Sequence, residues 1–470
     1  RRQRQMCIRD REKSEIGTNI DKLVIILDTN ILLYLYKCSF NASQNIVELF
    51  SKVKEKVVIP SRVYKEYLVH KDEEQAKIDR KYDSFTRDLK KQVNELKNKI
   101  NGSISESRKY EFPNCDSLET GIGTFLNKII TAISTYENSL SSEKQNKSVQ
   151  IANVEQILHY WSSQGKIKSE PTIVQLMEYV KEGEFRFRYK MPPGYKDEEE
   201  KDKEAKKDSK KDNFEGRIRK YGDLFVWKEI IDIGKEREGK VIVFLTNDIK
   251  EDWWVLKGEQ SNKEAVCMRE ELRKEYIAIT GSDKIEFMTL PRFYELFSDY
   301  YKICDIKTTL ELEYQSYVQG QIRTKFKEQI EGEIINNLKG IEWGEVSTDF
   351  EDIIEPDIDI DDLSIEEITL HYDDDGETAI YDIKISAETF PIEMKKIDDE
   401  LVLWIAEVRV KGNLAIQIQR DLRNLEESGI SFKSFSYDVL SNRDSEEALL
   451  EIKEEALSET MDTLEDYYNH

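Results

Sequence analysis

The sequence predicts an α/β fold with a central parallel sheet between two layers of helices, followed by an acidic α+β region. Three observations carry this prediction. Short apolar runs alternate with helical patterns through the first three hundred residues, which indicates βαβ units and a parallel sheet. A long, charged helical stretch interrupts this alternation. Beyond residue 306, apolar and polar positions alternate, as in antiparallel strands with one wet face.

Four short apolar segments are expected to form the parallel strands. They are Leu23–Leu27, Lys56–Ile59, Val241–Leu245 and Ile285–Leu290. Strands buried on both faces show such nearly continuous apolar runs. The first segment leads directly into Asp28, and the third leads into Thr246, Asn247 and Asp248. Because reactive groups in open parallel sheets gather beyond the C-terminal ends of the strands, these polar residues are candidates for chemistry.

Helical patterns occupy most of the chain between the strands. Ser61 follows Pro60 and is a candidate cap for a helix that carries Glu66. Residues 70–190 are predicted to be a helical insertion, because apolar side chains recur there every three or four positions. Further helices are expected at Ile31–Lys37, Leu224–Ile231, Lys263–Tyr276 and Pro291–Tyr300.

A charged loop and a different C-terminal region follow from composition. Residues 191–215 contain two prolines and then the run KDEEEKDKEAKKDSKKDN, which is typical of a solvated loop. Residues 306–345 are predicted to be a helical connector, with Leu310–Leu338 as its helix. Residues 346–470 are predicted to form an acidic α+β domain that ends in an acidic helix from Ser445. Its expected strands are Glu366–Tyr372, Ala379–Ser386, Leu401–Val410 and Asn413–Ile418.

The formal net charge of −24 is concentrated in the C-terminal region. Residues 306–470 contain 15 lysine and arginine residues against 42 aspartate and glutamate residues, whereas the rest of the chain is close to neutral. A near-neutral region permits a local basic groove, but a strongly acidic one repels phosphate backbones. The near-neutral region and the acidic C-terminal region are therefore expected to have different functions.

Several classes of protein are disfavoured by composition. No apolar run approaches the roughly 20 residues of a membrane span, so a cytoplasmic protein without a membrane segment is expected. Five cysteines without a CxxC pair and only four histidines support neither a zinc site nor a histidine-based triad. Residues 1–11 resemble the translation of a sequencing adapter and are left out of the fold prediction. Chemistry is therefore expected from carboxylates.

Four acidic residues are candidates to meet above the sheet. They are Asp28, Glu66, Asp223 and Asp248. A hard cation such as Mg²⁺ takes oxygen ligands and few protein carboxylates, and it can activate water for attack on a phosphodiester. Each residue also has an ordinary interpretation: Asp223 as a helix cap, Glu66 as a surface carboxylate and Asp248 as a turn residue. Asp28 fits such an interpretation least, because it follows five apolar strand residues.

Together these segments resemble the PIN-like nuclease family, in particular a long bacterial branch with a helical insertion that is often associated with phage defence. The resemblance covers roughly residues 22–303. Its motifs are ILDTN at Ile26–Asn30, VVIPSRVYKEYL at Val57–Leu68, YGDLFVWKEII at Tyr221–Ile231, VIVFLTNDIKEDWW at Val241–Trp254 and RYKMPPGYKD at Arg188–Asp197.

The resemblance implies a three-layer α/β/α domain that cleaves RNA with Mg²⁺ or Mn²⁺. It implies catalytic and metal-binding roles for the four acids, a fifth, outer metal-binding acid at Asp252, and supporting polar roles for Asn30 and Thr246. RNA is the expected substrate rather than DNA. A tentative nucleic-acid-binding set mixes basic and aromatic side chains, as phosphate and stacking contacts require: Arg186, Arg188, Tyr189, Lys190 and Lys196.

Three alternatives remain open at this stage. A haloacid-dehalogenase-like phosphatase would place a second aspartate at the position of Asn30. A catalytically silent PIN fold could serve as an RNA-binding or scaffold module. The acidic C-terminal region could restrain the nuclease or recruit a protein partner, and the chain could form a homodimer. The sequence does not distinguish tRNA, mRNA, phage RNA or DNA as the substrate.

Overall fold

A computed structural model of the chain describes residues 20–110, 112–197, 214–257, 264–341, 358–390, 392–398 and 401–443. It divides into two compact units, Arg1–Leu312 and Glu313–His470. The adapter-like residues 1–11, most of the charged loop predicted at 191–215 and the acidic helix predicted from Ser445 lie outside the described residues.

The first unit is built on a four-stranded parallel sheet, as predicted. Its strands are β1 (Leu23–Leu27), β2 (Val57–Val58), β3 (Val241–Leu245) and β6 (Ile285–Met288), in the order β2-β1-β3-β6. β1 pairs with β3 in register from Leu23 opposite Val241 to Leu27 opposite Leu245. All five residues of β1 are buried, as expected for a central parallel strand. The carboxyl ends of β1 and β3 therefore lie side by side.

Helices connect and cover these strands. They are α1 (Thr29–Lys37), α2 (Phe40–Val53), α3 (Ser61–Ser107), α4 (Cys115–Ser163), α5 (Ile173–Arg188), α6 (Phe214–Ile218), α7 (Gly222–Glu236), α8 (Glu270–Thr280) and α9 (Leu290–Tyr301). One apolar core joins side chains of the sheet to side chains of α1, α2, α7 and α9. The predicted α/β class is therefore confirmed.

The predicted helical stretch contains a long antiparallel hairpin of α3 and α4. These helices have 47 and 49 residues and contain no proline, which would break them. Lys90 of α3 bonds Glu137 of α4 at 2.8 Å, and the Phe85 and Tyr136 rings meet nearby at 6.0 Å, so the two helices pack side by side. Near its end, α4 joins the core through Trp161, whose ring meets Phe50 edge-on at 5.9 Å. The hairpin is therefore anchored in the α/β core rather than forming a separate fold.

Two local predictions in the first unit are wrong. The helix expected from Lys263 begins only at Glu270, because β5 (Glu264–Met268) pairs antiparallel with β4 (Trp254–Lys257). Ser61 is not the cap of α3, since Pro60 holds that position without a side-chain cap. Ser61 instead donates its backbone N–H and hydroxyl to the buried Glu229, at 2.5 and 2.9 Å. A carboxylate from α7 therefore satisfies the start of α3.

The second unit is dominated by antiparallel strands, as predicted for an α+β region. The helical connector comprises α10 (Ile306–Gln321), a π-helical turn (Ile322–Phe326) and α11 (Lys327–Lys339). The strands follow the order β11-β10-β8-β7, with β9 also paired to β10. They are β7 (Ser364–Tyr372), β8 (Thr378–Glu388), β9 (Ile392–Asp398), β10 (Leu401–Asp421) and β11 (Glu427–Arg443).

Strand β10 corrects the prediction of two separate strands at 401–410 and 413–418. It runs unbroken through Gly412. A Cβ atom at Gly412 would lie 3.0 Å from Ile334 and 3.2 Å from Phe435. The glycine therefore allows close packing inside a strand instead of ending it. Among the described residues, no helix has the length and apolar character needed to cross a membrane.

Candidate active site

A cleft of about 420 Å³ opens where β1 and β3 end. The four predicted acids Asp28, Glu66, Asp223 and Asp248 all line it. They come from four separate segments: the end of β1, the second turn of α3, the first turn of α7 and the loop after β3. The parallel topology therefore brings them together at one edge of the sheet, as expected.

Asp28 is held in one orientation by three hydrogen bonds. It caps α1, with its Oδ1 accepting from the Thr29 N–H at 2.7 Å. Its Oδ2 accepts from Asn30 Nδ2 and from Thr246 Oγ1, each at 2.6 Å. The Asn30 amide thus donates to Asp28 where a phosphatase of the haloacid dehalogenase type would carry a second acid. Both carboxylate oxygens of Asp28 are therefore held by hydrogen bonds.

Asn30 and Thr246 also tie the two strand ends together. Asn30 Nδ2 donates to Thr246 Oγ1 at 3.0 Å, and Asn30 Oδ1 accepts from the Asn247 N–H at 2.9 Å. Thr246 Oγ1 in turn accepts from the Asp248 N–H at 3.1 Å. The two residues therefore hold Asp28 and the Asp248 loop in a common network.

The pKa of Asp28 is raised to about 7. Burial is the largest cause, and the nearby carboxylates of Asp223 and Asp248 raise the pKa further. The hydrogen bonds from Thr246 and Thr29 act in the opposite direction. Asp28 is half-buried and lines the cleft. Crowded like charges of this kind are relieved by a bound cation.

Glu66 and Asp248 are each engaged by one neighbour at the cleft. Glu66 Oε2 accepts from Thr29 Oγ1 at 3.1 Å, which links α3 to α1. Asp248 Oδ2 lies 3.0 Å from Lys250 Nζ. Both acids are half-buried. They therefore have defined positions at the cleft, which the ordinary interpretations as a surface carboxylate and a turn residue do not require.

Asp223 lies under a close backbone contact from Gly194. It is in the first turn of α7, whose cap position belongs to Tyr221, so the interpretation of Asp223 as the cap does not apply. Gly194, at φ +90°, approaches so closely that a Cβ atom there would lie 3.0 Å from Asp223 Cβ. The Gly194 N–H donates to Asp252 Oδ2 at 2.8 Å. Asp252 is fully buried and is not part of the cleft lining. It therefore holds the Gly194 backbone against Asp223.

The side chains that line the cleft include the carboxylates that a hard cation takes as ligands. The carboxylate oxygens of the cleft are ligands that Mg²⁺ and Mn²⁺ prefer. Burial raises the pKa of Asp28, and the charges of Asp223 and Asp248 raise it further. In their present positions, however, no three histidine, cysteine or acidic side chains of the described residues form a group that could hold a metal ion. Cation binding would therefore require these carboxylates to draw together.

The basic and aromatic candidates divide into two groups. Arg188, Tyr189 and Lys190 are exposed, and the Tyr189 ring lies 4.7 Å from the Phe185 ring. Lys196 is also exposed and pairs with Glu251. Arg186 differs, since it is 2% exposed.

The Arg186 guanidinium is occupied by internal partners. It bonds Glu275 at 2.5 Å and Glu182 at 2.6 Å, and Glu275 also accepts from Trp227 Nε1 at 2.9 Å. These contacts join α5, α7 and α8. Arg186 is therefore assigned to packing between helices and is left out of the surface available to nucleic acid.

Sequence reasoning missed three residues that matter at the cleft. His70 and Lys250 line it, and Glu229 anchors the start of the helix that carries Glu66. The spacing of His70 from Glu66, one helical turn, and of Lys250 from Asp248, two residues, was a usable signal. Glu229 gave none, because a buried acid inside an amphipathic helix cannot be told from a surface acid by its sequence position alone.

Two comparisons with known proteins bear on this site. A family model described as a PIN-like domain matches residues 24–272, just over half of the chain. The matched stretch includes all four acids, Asn30 and Thr246. A search among curated proteins found no match.

Proposed function

From the premise that the chain belongs to the PIN-like domain family, whose fold is of the nuclease type, we propose that it is a metal-dependent endonuclease that cleaves RNA. One observation carries the proposal: four carboxylates from distant segments line a single cleft at the carboxyl edge of a parallel sheet. The raised pKa of the central Asp28 supports it, because perturbed carboxylates in clefts are functional-site candidates.

The cation proposed for this cleft is Mg²⁺ or Mn²⁺, held by Asp28, Glu66, Asp223 and Asp248. When bound, such an ion polarises a phosphoryl oxygen and lowers the pKa of a coordinated water. Thr29, Asn30 and Thr246 orient the Asp28 carboxylate through their hydrogen bonds. Asp252 serves indirectly, because it holds the Gly194 backbone over Asp223.

Other residues of the chain are proposed to hold and orient the RNA. Lys250 lines the cleft beside Asp248 and offers an ammonium group to a phosphate oxygen. The exposed Arg188, Tyr189 and Lys190 provide two cations and an aromatic face for the flanking strand. His70 lines the cleft and is the candidate to donate a proton to the leaving oxygen, as histidines commonly do.

A second candidate is a catalytically silent PIN-like module that binds nucleic acid. Two observations favour it. Lys250 neutralises Asp248 at 3.0 Å, and the described acids are not drawn together as a metal-binding group. In a silent module, the lysine would occupy the place of a cation permanently. The two candidates differ in whether a divalent ion binds at the cleft.

The acidic C-terminal residues 306–470 are proposed to regulate this activity. Their excess of acidic residues would repel RNA and suits a basic protein surface. Restraint of the nuclease or recruitment of a protein partner follows from that charge, and a role in phage defence follows from the family resemblance. Deletion of these residues with no change in cleavage, stability or partner binding would contradict the regulatory proposal.

The decisive experiment measures cleavage of labelled RNA and labelled single-stranded DNA by the purified chain in Mg²⁺, Mn²⁺ or EDTA. Asp28→Asn is the test variant, because asparagine keeps the cap of α1 but loses the charge. Asp21→Asn is the matched control, since Asp21 is an exposed acid outside the cleft. We expect metal-dependent RNA cleavage that falls by about a hundredfold or more in Asp28→Asn.

Binding of the metal separates the two candidates. Isothermal titration with Mn²⁺ is expected to show a site that Asp28→Asn weakens and Asp21→Asn does not. RNA binding without Mn²⁺ binding or cleavage would favour the silent module. Cleavage that persists in EDTA, or equally in Asp28→Asn, would contradict the proposed nuclease site.

A further inference from the structure

A second cavity, of about 640 Å³, lies away from the cleft, where α1 ends against the α3–α4 hairpin. Its size falls in the range of small-molecule sites. Its lining contains three lysines, four aromatic side chains and, among the described lining residues, no acid. These residues are Lys37, Lys81, Lys147, Phe40, Tyr82, Phe85 and Tyr136. We call it the lysine cavity.

The central feature of the lysine cavity is the buried Lys147. It is 8% exposed, and its ammonium donates to Tyr36 O at 2.5 Å and to Gln150 Oε1 at 3.0 Å. Both acceptors are neutral, and no carboxylate of the described residues forms an ion pair with Lys147. An ammonium has three N–H donors, so one remains for a further acceptor. A buried charge without an opposite charge is costly.

Burial lowers the pKa of Lys147, and the charges of Cys38 and Asp79 act in the opposite direction. Asp79 is exposed and forms no ion pair with Lys147 within the described part of the chain. Among the described residues, no carboxylate therefore bonds the Lys147 ammonium directly. An anion in the cavity would accept the remaining N–H of the Lys147 ammonium and balance its charge.

The other charges around the lysine cavity leave a net positive surface. Lys37 is partly neutralised by Glu74 at 3.4 Å. Lys81 is exposed and makes no ion pair with any described residue. Glu311 lies at the rim, where its carboxylate accepts from the Ser39 N–H and hydroxyl at 2.6 and 2.5 Å. Two of the three lysines therefore have no bonded carboxylate.

Two aromatic side chains of the lysine cavity are suited to contact a planar group. Phe85 and Tyr136 meet edge-on, with ring centroids 6.0 Å apart, and they are 49% and 43% exposed. Exposed aromatic faces beside a positively charged site are suited to stacking a planar group such as a nucleobase. Phosphate suits the lysines, because an ammonium binds it as a point charge. A nucleoside phosphate is a ligand that contains both a planar base and a phosphate group.

We propose that the lysine cavity binds a nucleoside phosphate, with the phosphate at Lys147 and Lys81 and the base against Phe85 and Tyr136. The ligand is either a free nucleotide or one nucleotide of an RNA strand. The proposal does not depend on cleavage, because no residue of the cleft lines this cavity. It adds a binding site that is separate from the proposed nuclease centre.

The test measures binding to the full chain in EDTA, so that the acidic cleft carries no divalent ion. The probes are ATP, adenosine, inorganic triphosphate and a fluorescein-labelled RNA decamer. We expect ATP to bind more tightly than adenosine or triphosphate alone. Lys81→Ala and Tyr136→Ala are expected to weaken ATP binding about tenfold each. Lys91→Ala is the control, because Lys91 is an exposed lysine of α3 outside the cavity.

The outcomes separate the two sources of the nucleotide. Binding of ATP that Lys81→Ala and Tyr136→Ala weaken supports a free nucleotide as the ligand. Binding of the decamer alone, weakened by the same variants, supports a nucleotide within RNA. Lys147→Met tests the buried charge, and circular dichroism checks its folding. The proposal is overturned if neither ATP nor the RNA decamer binds at millimolar concentration, or if their binding is equal in Lys81→Ala, Tyr136→Ala and Lys91→Ala.

Discussion

The acidic cleft and the lysine cavity lie at opposite ends of the same helix, α1. At its N-terminus, Asp28 caps the helix and accepts from the Thr29 N–H. At its C-terminus, Lys147 donates to the carbonyl of Tyr36, and Gln150 donates to the carbonyls of Leu35 and Cys38. Negative charge at the start of a helix and positive charge at its end complement the helix dipole.

The helix dipole explains the signs of the two charges but does not compensate their burial. The pKa of Asp28 is raised and that of Lys147 is lowered, each chiefly by burial. In both places the neutral form is therefore favoured relative to an exposed side chain. A cation in the cleft and an anion in the cavity would each restore the charged form. The two proposed sites would therefore take ligands of opposite charge at the two ends of one helix.

Neutralising a second acid of the cleft is expected to have the largest effect. Asp223→Asn removes a charge that raises the pKa of Asp28, and we expect cleavage to fall by about a hundredfold or more. Asp232→Asn on the same helix is the control, because the Asp232 side chain is 40% exposed, lies outside the cleft lining and pairs with Lys235 at 3.3 Å. Single-turnover RNA cleavage measures the change. Equal rates in the two variants would remove Asp223 from the proposed site.

The sequence pointed to the cleft but not to the lysine cavity, for a physical reason. Asp28 and Asp248 follow parallel strands directly, so the topology alone places them together. The lysine cavity combines residues from α1, α3 and α4 that are separated by about a hundred positions. Lys147 lies in a polar helical stretch and is indistinguishable there from a solvated lysine. Only tertiary packing shows that it is buried.

Tertiary contacts also explain the two wrong predictions of secondary structure at residues 264–268 and 401–418. Residues Glu264–Met268 include alanine, glutamate and methionine, which favour helix, yet pairing with β4 makes them a strand. Two strands were predicted, Leu401–Val410 and Asn413–Ile418, but β10 runs through Gly412, where Ile334 packs too closely for a larger residue. In both cases a tertiary contact outweighed the local preference. The parallel strands were predictable because their apolar runs report burial on both faces directly.

A smaller effect is expected from Gly194→Ala, which tests how backbone packing supports the acidic end. The added Cβ would meet Asp223 Cβ at 3.0 Å, and φ at this position is +90°. We expect a loss of about 1–3 kcal/mol in the free energy of unfolding and a fall in cleavage of about tenfold, because Asp223 must shift. Urea denaturation and cleavage assays measure the two effects.

Gly165→Ala is the matched control for Gly194→Ala. Gly165 also has a positive φ, +65°, but a Cβ atom there meets nothing within 4 Å. Backbone strain should therefore lower the stability of this variant without lowering cleavage. If both variants lost cleavage to the same extent, the contact between Gly194 and Asp223 would have no special role at the cleft.

The smallest expected effect is a pH dependence of stability in the metal-free protein, with opposite signs at the two ends of α1. Asp28 has a folded pKa of about 7 against an ordinary value of 3.8. Between these values the folded state binds the proton and the unfolded state does not, so the free energy of unfolding falls as pH rises from about 4 to 7. Lys147 has a folded pKa below its ordinary value of 10.5. In the range between its folded pKa and 10.5, the unfolded state binds more protons, and stability rises with pH.

Urea denaturation in EDTA at a series of pH values separates these two contributions. Asp28→Asn should flatten the decrease between pH 4 and 7, by about 1–3 kcal/mol over that range. Lys147→Met should flatten the increase at alkaline pH and leave the acidic range unchanged. Added Mn²⁺ should reduce the decrease between pH 4 and 7 only where Asp28 is present, because cation binding favours its ionised form. A wild-type profile identical to that of Asp28→Asn would show that Asp28 ionises normally, and the electrostatic contrast between the ends of α1 would then rest on Lys147 alone.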